Sequence, residues 1–250
     1  MQKAVTRAQL PTLEASTLPD QAGYRGLENQ LYRVEIHDAG NDARHATFKW
    51  SRNNGSVVVP ILEIGGRVLT VAPRAGPDSV PFTPGDWLEV SDDEYELQGR
   101  AEPLRRVDYV DRRKMRVTLN LPPPSTVGTT PRKHPLLRRW DQKEDEGVKI
   151  AQRDGVITVV PKKWIFLEDG VQVRFSEGDY RTGDYWLIPA RVATKNVIWP
   201  NKRGAPVPMQ PMGIRHHFCP LAVVSRKPGG EIAVIQDFRR IISPRANLLG

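Results

Sequence analysis

From Leu31 the chain alternates. Leu31, Arg33 and Glu35 fall on one side and Tyr32, Val34 and Ile36 on the other, the period-two pattern of a half-buried strand ending at the His37-Asp38-Ala39-Gly40 turn. The same alternation, or a short apolar run, predicts strands over 46–50, 56–63, 67–71, 87–91, 104–110, 115–121, 156–160, 164–167, 171–175, 184–191 and 221–225. Asn54-Gly55, Gly65-Gly66, Pro84-Gly85, Asp154-Gly155, Asp169-Gly170 and Gly229-Gly230 lie between these runs and supply residues that tolerate the left-handed conformation of tight turns. No segment carries a sustained helical period. Short strands at regular spacing predict an all-β fold: two small β-barrel or sandwich-like modules with extended arms.

Prolines set the expected boundaries. The run from Pro122 to Pro124, followed at Pro131, lacks the N–H donors a ladder needs, so residues 122–147 read as a linker rich in proline and charge. That places one β module at 23–121 and a second at 148–227. Residues 1–22, with Pro11 and Pro19 and no period, read as an extended N-terminal arm, and residues 228–250 as a C-terminal strand and tail. A second irregular loop is expected around Pro206, Pro208 and Pro211. One internal echo links the modules: Pro84-Gly85-Asp86-Trp87-Leu88 resembles Thr182-Gly183-Asp184-Tyr185-Trp186-Leu187, through module duplication or through separate use of one turn signal.

Composition narrows the class. With 39% hydrophobic and 26% charged residues the 250-residue chain is expected to fold as a globular protein, without a membrane span. The net charge of +8 is carried by short doublets such as Arg105-Arg106 and Arg138-Arg139, which read as solvated surface, so nucleic acid is not the expected partner. The single cysteine, Cys219, cannot form an internal disulfide, which fits synthesis in the cytoplasm.

Candidate chemistry is sparse. His216 and His217 are adjacent, so on a strand they point to opposite faces, and no spaced partner completes a metal set; no metal and no cofactor is expected. The carboxylates of Asp92-Asp93-Glu94 and Glu144-Asp145-Glu146 are contiguous and read as surface clusters rather than a glycosidase pair. No GxSxG, GxxxxGK[ST] or GxGxxG motif is present, so no enzyme class is indicated. Planar rings beside polar groups make Trp50, Arg52, Asn54, Tyr185 and Trp186 the candidate binding set for a glycan, against the alternative that each tryptophan fills the core. Near the C-terminus, Phe238, Ile241 and Ile242 with Arg239 and Arg240 form an apolar and basic set expected to dock on a partner, the alternative being the last strand of a barrel.

The stretches GYRGLENQLYRVEIHDAG (23–40), ATFKWSRNNGSVV (46–58), KWIFLEDGVQVRFSEGDYRTGDYWLIPAR (163–191) and GIRHHFCPLAVV (213–224) resemble a bacterial family known as a domain of unknown function. Some members of that family accompany phage-tail-like or contractile-injection clusters. The resemblance implies a non-enzymatic structural or adaptor component of such an assembly, present in multiple copies, contacting other protein chains, and made in the cytoplasm before joining a particle that is released or held at a surface. A surface glycan-binding module and a polysaccharide-active enzyme are the alternatives. Two departures accompany the resemblance: the family's N-terminal aromatic-Gln-Gln-Gly-Arg segment does not appear, which implies a fragment or one piece of a split protein, and Asn53 stands where the family pattern has aspartate.

Overall fold

The computed structural model describes residues 11–17, 23–41, 45–73, 79–143, 154–213 and 219–240. It is all-β and divides into two units, 1–213 and 214–250.

In the first unit the chain begins with β1 (Leu13–Thr17), β2 (Gln30–Asp38) and β3 (Thr47–Ser51). It then builds β4 (Val58–Gly65), β5 (Val68–Val71), β6 (Trp87–Ser91), a short helix α1 (Asp93–Gln98), β7 (Arg105–Asp111), β8 (Arg116–Leu119) and β9 (Leu136–Trp140). It returns through β10 (Ile157–Thr158), β11 (Trp164–Glu168), β12 (Val171–Phe175), β13 (Tyr185–Arg191), β14 (Asn196–Val197), β15 (Asn201–Lys202) and β16 (Ala205–Pro206). The middle segment closes on itself as an antiparallel barrel in the order β4-β5-β8-β7-β6-β9. The flanking segments pair with each other in two sheets, β1-β12-β11 and β10-β3-β2-β13-β14. The barrel is therefore inserted into the sequence of a sandwich.

Each body has its own apolar core, because alternation sends every second residue inward. Val59, Ile61, Leu69, Phe82, Leu88, Val117, Leu119 and Leu137 fill the barrel. Tyr32, Val34, Phe48, Trp50, Val173, Phe175, Trp186 and Ile188 bring the two sheets of the sandwich together, with the Phe48 and Phe175 rings 4.9 Å apart. Trp87, Leu104 and Trp140, from the barrel strands and their approach, belong to the sandwich core as well, so the two bodies share apolar contacts.

Several sequence expectations change here. The strand pairings do not follow a division at residue 121, because β2 and β3 pair with β13 and β10 across the barrel insertion. The stretch read as a linker contains β9, which pairs with both β4 and β6 and closes the barrel. Its proline run lies against the barrel through a bond from Arg105 Nε to Pro122 O at 2.8 Å. Part of the stretch read as an N-terminal arm is β1, fully paired with β12 and contributing buried Leu13 and Ala15. A helix exists where none was expected: Asp92 caps its first turn by accepting from Tyr95 N at 2.9 Å, and Gly99 ends it with φ +59°. The echo between Gly85 and Gly183 is one turn used twice. Thr83 N donates to Asp86 Oδ2 at 2.9 Å and Arg181 N to Asp184 Oδ2 at 3.0 Å, one in the barrel and one in the sandwich. Among the described residues no helix is long and apolar enough to cross a membrane.

The second unit contains one antiparallel hairpin, β17 (Ala222–Arg226) and β18 (Ile232–Asp237), joined through a turn in which Lys227 N donates to Glu231 O at 2.9 Å. Of the two sequence readings of its end, the last strand of a barrel is not what forms: β18 pairs only with β17 among the described residues.

Candidate functional site

Strand register decides where the candidate binding residues go. Val34 of β2 stands opposite Trp50 of β3 and Trp186 of β13, and Glu35 stands opposite Lys49 and Tyr185. Successive residues face opposite ways, so the first row enters the sandwich core and the second faces the barrel side. Trp50 and Trp186 are each 1% exposed, and the indole N–H of Trp186 donates to Met209 O at 2.9 Å. Neither ring offers a face to a sugar, so the core alternative describes them. Arg52 is held by Glu168 at 2.6 Å, Asn54 is the left-handed residue of a turn with φ +54°, and Tyr185 is half-buried beneath the Arg33 guanidinium, 3.7 Å from its ring centre. The structure brings these residues onto neighbouring strands and the turn that follows β3 but does not join them in a binding face.

What gathers instead is a buried cluster of ionised groups between barrel and sandwich. Glu89 of β6 accepts from Lys49 Nζ at 2.5 Å and from the Tyr95 hydroxyl at 3.2 Å through one oxygen, and from Trp140 Nε1 at 2.8 Å through the other. Lys49 also lies 3.3 Å from Glu35 and 4.4 Å from the centre of the Trp140 ring, while Arg33 Nε donates to Glu35 at 2.6 Å. Burial pushes the Glu89 carboxyl up, but the Lys49 ammonium and the further positive groups around it outweigh that and hold it at about 2. His37 is buried beside this cluster; burial first, then Lys49, drives its imidazole down to about 4. The helix contributes Tyr95, whose hydroxyl also accepts from Glu102 N at 3.1 Å. Burial and the neighbouring Glu89 raise the Tyr95 phenol above its ordinary value.

A second group fastens the end of β9 to β3. Asp141 accepts from Ser51 Oγ and from Arg52 N, both at 3.0 Å, and pairs with Arg139 at 3.1 Å. Gln142 donates to Gly155 O at 2.6 Å. Gly155 has φ +69°, and a Cβ there would meet the Trp87 ring at 2.3 Å, so only glycine lets this loop close over the indole. Glu168 takes the Tyr32 hydroxyl at 3.2 Å and is pushed up chiefly by its burial, with Arg52 opposing.

Chemically, both oxygens of Glu89 are already engaged by donors. The arrangement is a clasp: it satisfies buried charge and fixes the two bodies against each other. Sequence reasoning missed it, although a signal exists. Lys49 sits between Phe48 and Trp50, and Glu89 between Leu88 and Val90: opposite charges centred in two apolar strands.

The hairpin of the second unit has the opposite character. Val223, Val224, Ile232, Val234, Ile235 and Phe238 are all exposed, with Ile232 at 68%. Of the expected docking residues, Phe238 N donates to Leu221 O, Arg239 forks onto the Asp237 carboxylate with Nη2 to Oδ2 at 2.6 Å, and Arg240 is exposed. Arg239 is therefore neutralised within its own strand end. Ile241 and Ile242 lie outside the described residues.

A profile of a family of unknown function, DUF6519, matches residues 6–233. No curated protein and no solved structure matches the chain.

Proposed function

The chain belongs to this family of unknown function, and from that premise we propose that it is a non-enzymatic structural or adaptor component of a phage-tail-like, contractile-injection assembly. The observation that carries the reading is the hairpin of β17 and β18: both strands keep an unpaired edge among the described residues, and its apolar side chains are exposed. A two-stranded ribbon is marginal by itself in water and gains most by adding its edge and apolar face to another sheet. The clasped barrel and sandwich support the same reading, since an adaptor transmits position only if its bodies hold a fixed geometry. The chain is made in the cytoplasm and joins a particle that is released or held at a surface.

The test is to isolate native particles from the producing cell and quantify their proteins by mass spectrometry. This reading expects the chain at constant stoichiometry to the tube and sheath proteins; its consistent absence from purified particles overturns it.

A further inference from the structure

The outer face of the barrel where β7 turns into β8 is basic, open and built around one exposed aromatic ring. Arg112, Arg113, Lys114 and Arg116 are all exposed there, Tyr109 is 61% exposed among them, and Arg106 is exposed at the far end of β7. Register places Tyr109 opposite Thr118, and Arg116 opposite both Asp111 and Thr70, so the ring, the guanidinium and the two threonines share one stretch of sheet. A β-bulge between Val107 and Tyr109 turns both Asp108 and Tyr109 outward.

The turn is held in place from below. Asp111 Oδ1 accepts from Arg113 N at 3.1 Å and Lys114 N at 3.0 Å, Arg112 Nη2 reaches Phe82 O at 3.1 Å, and Met115 packs against the barrel core. Residues 109–114 line a shallow depression on this surface. The side chains of Arg106, Arg113, Lys114 and Arg116 meet no carboxylate among the described residues. Asp108 lies 3.5 Å from Arg67.

We propose that this face binds an acidic polysaccharide of the uronate type, a site that is independent of whether the chain joins a particle. The basic side chains would pair with the carboxylates of such a chain, and Tyr109 would stack on a sugar ring. The two aspartates and two threonines favour a sugar over nucleic acid. They offer acceptors to the hydroxyls that every uronate residue carries, whereas a DNA phosphodiester backbone has no donors to give.

The test measures binding of a polygalacturonate oligosaccharide, its neutral methyl-esterified counterpart, and a single-stranded DNA to the full chain at low salt. The Tyr109→Ala variant and the double variant Arg113→Ala with Lys114→Ala are compared with the parent; all three positions are exposed, and circular dichroism checks that the fold is kept. The proposal expects polygalacturonate to bind, the ester and the DNA to bind more weakly, Tyr109→Ala to weaken polygalacturonate about tenfold, the equivalent of one lost stacking contact, and the double variant, which removes two cations, to weaken it by at least as much. Failure of polygalacturonate to bind overturns it, as does unchanged binding in both variants. DNA binding as tight as the sugar and indifferent to Tyr109→Ala would also overturn it, by showing a general polyanion patch.

Discussion

The seam between barrel and sandwich and the terminal hairpin invert the usual distribution of side chains in opposite senses. The seam buries charge: Glu89 is 3% exposed and Lys49 4%, yet each has partners. The hairpin exposes apolar surface, with Val234 at 60% and Ile235 at 66%. Buried ionised groups are tolerated only when paired, so the seam is complete within the chain. Exposed apolar strands are tolerated at a cost in solubility, and the docking role proposed above is what would cover the hairpin. The difference separates what holds this protein together from what it offers outward.

The largest expected effect comes from removing one partner in the seam. Glu89→Ala leaves the buried Lys49 ammonium with Glu35 alone and takes the acceptor from the Trp140 indole N–H and the Tyr95 hydroxyl, and is expected to lower unfolding free energy by about 3–5 kcal/mol, read from urea denaturation. A loss no larger than that of an exposed pair would show that the clasp does not join the two bodies.

Acid should loosen the seam before the apolar cores. His37 titrates near 4 in the folded protein against 6.5 ordinarily, so the unfolded chain binds the extra proton first and stability falls as pH drops through the window from 6.5 to 4. A depression of that size corresponds to about 3 kcal/mol. Glu89, held at about 2 against 4.5, adds a further loss as pH falls from 4.5 toward 2. Glu96 and Glu168, both raised, act with the opposite sign as pH falls, so the informative comparison is with His37→Gln, which should flatten the upper window alone. An unchanged slope between pH 6.5 and 4 in that variant would contradict the assignment.

Gly155→Ala comes next. It combines a left-handed backbone with a Cβ 2.3 Å from the Trp87 ring, and a cost of about 2 kcal/mol is expected in thermal or urea unfolding. A neutral result would mean that the loop moves off the indole freely.

The smallest effect on stability belongs to the hairpin. Val234→Asp is expected to change unfolding of the barrel and sandwich by no more than about 0.5 kcal/mol, while excluding the chain from particles. Normal incorporation of the variant would remove the hairpin from the docking role.

Much of this architecture is legible in the sequence because alternation and turn residues act locally. β2, β3, β6 and β13 each show the pattern, and the two matching turns before Trp87 and Tyr185 are visible as text. What escapes is non-local. β1 has only two inward residues, Leu13 and Ala15, and its partner β12 lies far along the chain, so nothing near it marks a strand. β9 is masked by the preceding prolines, and its two buried residues, Leu137 in the barrel core and Trp140 in the sandwich core, are three apart with two arginines between them, so no period-two pattern marks the strand. α1 is a single capped stretch too short for a helical period, so Asp92 reads as surface charge when it caps a helix. The candidate tryptophans follow from composition beside polar neighbours, but exposure is a tertiary property, and the register sends both inward.

Hydrogen exchange compared between the free chain and the purified particle tests the separation of frame from docking element most directly. The free chain should show slow exchange in β3, β6 and β9 and fast exchange in β17 and β18, with the two hairpin strands gaining protection in the particle while the seam stays unchanged. Strong protection of β17 and β18 already in the free chain, or no gain in the particle, would contradict it.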